Sequence, residues 1–235
     1  MATFVLVHGA WHGGWCWAKL ESAMRKRGHE THAPTLTGLG ERSHLLGKDI
    51  TPDDHVTDIV NTLRWRDLSD VFLVGHSYGG MVISGVAGRV PERIVGLVYL
   101  DAFVPEQSGF SLFAQANPER MKTFQRQIDA GAEGLEPDNF DAWTNDPKTK
   151  AWLKNMCTPH PTGCFSNGVT LTGREKEITQ KLYIHCARNT PSPFVSEYQK
   201  VKSRSDWETA EIATKHNAMG EDPESLAALL DKFVV

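Results

Sequence analysis

Residues 71–89 read VFLVGHSYGGMVISGVAGR, and they restrict this chain more than any other stretch. A near-continuous apolar run, Val71 to Gly75, enters Gly75-His76-Ser77-Tyr78-Gly79. A helical pattern follows at once through Met81, Val82, Ile83, Val86 and Ala87. A strand apolar on both faces has no side for water, so it belongs in a parallel sheet covered by helices. G-x-S-x-G between such a strand and a helix is the sharp turn that lifts a serine hydroxyl above the sheet edge. The competing reading is a strand-turn-helix with an uninvolved serine, but strand before and helix after are the context that a nucleophile role requires.

The same apolar, β-branched character recurs in Thr3 to His8 (TFVLVH), Val95 to Leu100 (VGLVYL) and Leu182 to Cys186 (LYIHC). Helical spacing of apolar residues intervenes over Trp17 to Arg27 and His55 to Trp65, which gives a βαβα alternation and a mostly parallel sheet with helices on both faces. Trp207 to Ile212 reads as a last short strand, and Pro223 to Val234 as a closing helix with Leu226, Leu229, Leu230 and Phe233 on one face. From Pro105 the chain changes to proline-punctuated, aromatic and polar segments. Helices are expected over Leu112 to Asp129 and Phe140 to Met156, with a Pro/Gly loop and short extended pieces over Thr158 to Gly168. The expected organisation is a core of residues 1–104 and 182–235 with a cap inserted at 105–181.

A formal net charge of -4 over 235 residues leaves no basic face for nucleic acid. No apolar stretch approaches the ~20 residues of a membrane span, and no charged leader precedes Thr3, so a soluble, cytoplasmic protein is expected. Cys16, Cys157, Cys164 and Cys186 match no zinc spacing, so no metal and four free thiols are expected; Cys157 and Cys164 pair only if the protein is exported. A homodimer is left open.

A serine hydroxyl is a weak nucleophile at neutral pH and needs a base within reach, and in strand-turn-helix hydrolases the histidine comes last in the chain. His216, in Thr214-Lys215-His216-Asn217-Ala218-Met219, sits between the last strand and the last helix. Acyl transfer also needs two donors aimed at the developing oxyanion. One is the amide of Tyr78. The other is assigned to Ala10, in the Gly-rich loop His8-Gly9-Ala10-Trp11-His12-Gly13-Gly14-Trp15. An ordinary Gly-rich turn or a phosphate loop competes for that segment, although neither phosphate-binding glycine pattern is present. His76 is expected to point away from the serine, His8 and His12 to belong to a separate loop, and His160, between two prolines, to lie at the surface.

Together these segments, with Leu100-Asp101-Ala102-Phe103-Val104-Pro105, resemble the α/β-hydrolases of the esterase branch. These include plant methyl esterases, hydroxynitrile lyases and bacterial hydrolases of methyl carbamates such as carbendazim. The resemblance spans most of the chain and implies the α/β-hydrolase fold, Ser77 and His216 as catalytic residues, Ala10 and Tyr78 as the oxyanion hole, and no cofactor. Where the plant enzymes carry the acid after the strand matching Leu182 to Cys186, this chain reads Ala187-Arg188-Asn189-Thr190-Pro191, without a carboxylate. Asp101, directly after VGLVYL, is the acid at the end of another strand, with turn capping as its competing role. Related lyases carry a threonine at the place of Gly9 and a lysine at the place of Asn217, so their absence favours hydrolysis. A non-hydrolytic enzyme and a non-catalytic ligand-binding protein on the same scaffold are the alternatives. Trp11 and Phe103 are expected in the pocket, with Phe110, Phe113, Trp143 and Trp152 nearby, which suits a small, largely apolar ester. By resemblance that partner is a methyl ester or methyl carbamate.

Overall fold

The computed structural model describes residues 1–234. Six strands form one sheet: β1 (Thr3–Val7), β2 (Glu30–His32), β3 (Val71–His76), β4 (Ile94–Leu100), β7 (Gln180–Cys186) and β8 (Glu208–Ile212). They lie in the order β2-β1-β3-β4-β7-β8, every pair parallel. β5 (Gly134–Leu135) and β6 (His160–Pro161) form a separate antiparallel pair. All carboxyl ends of the large sheet point one way, and the loops leaving them converge where an open parallel sheet binds ligands.

Helices cover both faces. α1 (Ala18–Lys26), α10 (Ala218–Glu221) and α11 (Pro223–Phe233) bury Leu20, Met24, Met219, Leu226 and Leu230 against Phe4, Leu6, Val74, Val98 and Ile184. On the other face α2 (Pro52–Trp65), α3 (Gly79–Arg89) and α9 (Pro193–Lys202) bury Ile59, Val82, Val86 and Val201 against Val5, Val7, Leu73, Leu97 and Tyr99. Between β4 and β7 run α4 (Leu112–Gln115), α5 (Pro118–Asp129), α6 (Phe140–Trp143), α7 (Pro147–Met156) and α8 (Gly163–Ser166). Their aromatics, among them Phe124, Trp143 and Phe165, join the second of these clusters.

Local chemistry explains where the observed boundaries depart from the expected ones. α2 begins three residues before His55, because Thr51 and Asp54 form a reciprocal capping box and Pro52 occupies the first turn. The single helix expected over Leu112 to Asp129 is two, since Pro118 lacks the amide an interior position must donate and instead opens α5, capped by Asn117. Pro147 divides Phe140 to Met156 in the same way, with Asp146 capping α7. β2 is a three-residue, polar edge strand too short to carry an alternation, and α9 also escaped the sequence pattern. All four cysteines are free. Among the described residues no helix is long and apolar enough to cross a membrane.

Candidate active site

β3 ends at His76, and the next residue, Ser77, has a left-handed backbone with φ of 56°. A non-glycine residue pays for that conformation with roughly 1–3 kcal/mol of strain unless its surroundings hold it there. Here they do: the Ser77 amide donates to Leu100 O on β4, and Ser77 O accepts from the amides of Gly80 and Phe103. The flanking glycines are steric necessities. A Cβ on Gly75 would meet Gly79 O at 2.6 Å, and one on Gly79 would meet Val7 O at 2.5 Å.

Asp101 leaves β4 in the same manner, with φ of 43°, its amide donating to Ile184 O at 2.8 Å. Its side chain is fully buried and receives four groups. Oδ2 lies 2.7 Å from Nδ1 of His216 and accepts from Nδ2 of Asn189 at 2.6 Å; Oδ1 lies 3.2 Å from Nδ1 of His185 and accepts from the Cys186 amide at 3.3 Å. Burial pushes the Asp101 carboxyl up, but these donors outweigh it and hold it below the usual carboxylate range. A carboxylate has no proton to give, so His216 is the donor at Nδ1, and the neutral tautomer this selects carries its lone pair on Nε2. His216 and Ser77 line one cavity of about 500 Å³, as do Ala10, Tyr78, Trp11 and Phe103.

The loop after β1 is oriented by histidines. Nδ1 of His8 donates to Gly9 O at 2.9 Å, Nδ1 of His12 donates to Ala10 O at 2.7 Å, and the Trp11 amide donates to Nδ1 of His160 at 3.2 Å. The Ala10–Trp11 peptide is thereby held at both ends, with Trp11 at φ of 65°. Among the described residues neither the Ala10 nor the Tyr78 amide has an acceptor, which leaves both donors for a ligand. Burial lowers the imidazoles of His8 to about 3 and His12 to about 4, and takes His76 and His160 well below the ordinary value, so all four are neutral near pH 7.

Two expectations need correction. His160 is not a surface residue: it is fully buried, with its ring against Tyr78, His55 and Phe165, because β6 pairs with β5 and turns it inward. His12 does not stay within its own loop, since Nε2 lies 3.1 Å from the Asn217 side-chain amide beside His216. Sequence reasoning also missed His76, whose Nε2 donates to His216 O at 2.9 Å, and His185, which is flat against Tyr198. His76 stands inside GHSYG, but the motif assigns its side chain no partner, and no motif marks His185; only the folded chain brings them to their partners.

His55, His160 and Cys164 place ligand-type atoms within 4.8 Å of one another. A metal needs lone pairs, yet Nδ1 of His160 already accepts the Trp11 amide, so Nε2 carries the proton, and Nε2 of His55 donates to Thr37 O at 2.8 Å while Nδ1 lies 2.9 Å from the Tyr78 hydroxyl. This donor set does not fit a cation.

A parallel sheet with a strained serine after its third strand, a buried carboxylate after its fourth and a histidine after its last defines a hydrolase-type site on an α/β scaffold. Residues 4–229 match the model of the alpha/beta hydrolase family, and the chain belongs to that family. It is 36% identical to the carbendazim hydrolyzing esterase of Nocardioides sp. (strain SG-4G), over 98% of each chain. Salicylic acid-binding protein 2 of Nicotiana tabacum is 26% identical, over 97% of this chain and 95% of that one. Among solved structures, an extracellular α/β-hydrolase from a Paenibacillus species, described as sharing structural and functional homology with that tobacco protein, superposes with a TM-score of 0.86 at 25% identity. The match covers 99% of this chain and 98% of the other.

Proposed function

We propose that this esterase-type α/β-hydrolase cleaves a small carboxylic ester or methyl carbamate through an acyl-enzyme on Ser77. The observation that carries the reading is the 2.7 Å contact between Asp101 and Nδ1 of His216, which orients an imidazole that lines the same cavity as Ser77. His216 takes the Ser77 proton as Oγ attacks the carbonyl carbon. The Ala10 and Tyr78 amides hold the oxyanion, and Asp101 stabilises the imidazolium. Collapse breaks the bond from the carbonyl carbon to the leaving oxygen or nitrogen and expels the alcohol of an ester, or the alcohol or amine of a carbamate, protonated by His216. Water, deprotonated by His216, then releases the acid.

Residues 105–181 act as the cap in this reading, because Trp143, Phe124 and Phe165 from that segment line the cavity that Ser77 also lines. The methyl carbamate is suggested by the Nocardioides relative, and four free thiols support a cytoplasmic setting. Gly9 favours hydrolysis over a lyase arrangement, since a Cβ there would meet Nδ1 of His76 at 2.8 Å and Cβ of Ser77 at 2.9 Å. The test is rapid-quench mass spectrometry during turnover of a short-chain aryl ester. The expected result is an acyl adduct on the peptide containing Ser77, absent from Ser77→Ala, whose kcat falls by on the order of 10⁴ or more. Hydrolysis that persists in Ser77→Ala would overturn the reading.

A further inference from the structure

We infer that Arg120 forms an anion subsite in the cavity, so that the preferred substrate carries a carboxylate on its acyl group, remote from the bond that is cut. The inference rests on the esterase reading and names the substrate class within it. Among the described residues that line the cavity, Arg120 is the one lysine, arginine, aspartate or glutamate. The neighbouring imidazoles of His12 and His76 are held neutral, so the arginine supplies the fixed charge of the wall.

Its position is built. The guanidinium carbon stands over the ring of Trp11 at 5.5 Å and over that of Phe124 at 5.2 Å, and both rings are buried. Such contacts suit the planar, weakly hydrated guanidinium and not a hydrated ammonium. Its first residues of helix backbone are fixed as well, because the Arg120 amide donates to Oδ1 of Asn117 at 2.9 Å. Of five N–H donors, one Nη reaches Oδ1 of Asp138 at 3.5 Å, and Asp138 does not line the cavity. The remaining donors have no acceptor among the described residues. Gln115, Asn117 and Asn139 flank it on the cavity wall and extend the polar end. Trp11 follows Ala10 in the chain, so one residue links the two ends: its backbone belongs to the loop after β1 and its ring face carries the arginine. A flat aromatic acid esterified at one end would lie along these rings, its ester at Ser77 and its free carboxylate on the guanidinium fork. Hydrolysis adds water across the ester and releases the alcohol, and the product is a dicarboxylate.

The test compares kcat/KM for monomethyl terephthalate and for methyl benzoate in wild type, Arg120→Met and Arg120→Lys. The expected wild-type preference for the half-ester falls at least tenfold in Arg120→Met and by an intermediate amount in Arg120→Lys. In the wild type alone the preference shrinks as ionic strength rises, which needs no variant to fold. A wild type that turns over methyl benzoate without favouring the half-ester, or an Arg120→Met that lowers both substrates equally, would overturn the subsite and leave the esterase reading intact. Turnover of neither substrate would count against both.

Discussion

The carboxyl edge of the sheet and the segment laid over it solve different problems with different chemistry. At the edge, Ser77 and Asp101 are held in left-handed backbone by main-chain bonds to neighbouring strands, and Asp101 is locked by four donors. Over residues 105–181 the cavity wall is built from aromatic packing and one arginine, with short helices and a two-stranded pair. The first arrangement tolerates little movement, because strain and buried polar bonds fail together. The second can change its side chains and keep its fold, so the proposed function puts the reaction chemistry at the edge and the choice of substrate in residues 105–181.

Placing a side chain where the edge has none breaks that contrast by steric means alone. Gly9→Thr would force Cβ against His76 and Ser77, and its expected effect is a loss of about 10²-fold in kcat for a short aryl ester, read by steady-state kinetics. A variant with near-normal kcat would mean that this part of the edge yields easily. His160 is the point where the two regions meet, since it comes from the covering segment and holds the Trp11 amide. His160→Leu is expected to lower kcat by about tenfold with little change in KM, because loosening the Trp11 amide would shift Ala10, the proposed oxyanion donor, which would act on the transition state more than on bound ester. An effect on KM alone would place His160 with substrate binding.

How far the sequence carried the reading follows the same division. GHSYG, the strand-like runs and the position of His216 are local patterns, and the α/β-hydrolase class and the three strand ends could be read from them. Asp101 could be reached because an apolar strand ends directly on it. Asn189 stood out as the neutral residue at the place of the plant acid, but its bond to Asp101 did not; that bond and the partners of His185 and His76 span 88, 84 and 140 residues, and no periodicity links them. The helices of the covering segment were legible as periodic stretches, but Pro118 and Pro147 read as interior residues until the caps at Asn117 and Asp146 were seen. Arg120 carries no motif; its meaning comes from the two rings beneath it.

Buried neutral histidines also make the edge acid-sensitive, an effect on stability and not on kcat. The unfolded chain takes up protons near pH 6.5, whereas burial holds His8 to about 3 and His12 to about 4, so the folded state binds fewer protons between those values. Stability therefore falls as pH drops through that window, each histidine contributing up to about 1.4 kcal/mol per pH unit. Urea unfolding midpoints at pH 7.5, 6 and 5 should decline progressively. His8→Asn should flatten the decline, and a midpoint independent of pH over that range would contradict the assignment.

The most direct test of the central claim, that the acid of this site stands after the fourth strand in chain order, is kcat for Asp101→Asn beside Asn189→Ala, with both variants checked for folding by circular dichroism. The account expects Asp101→Asn to lose on the order of 10³–10⁴ in kcat and Asn189→Ala to lose about tenfold or less. An Asp101→Asn that stays within a few-fold of wild type, or an Asn189→Ala that loses more than Asp101→Asn, would contradict it.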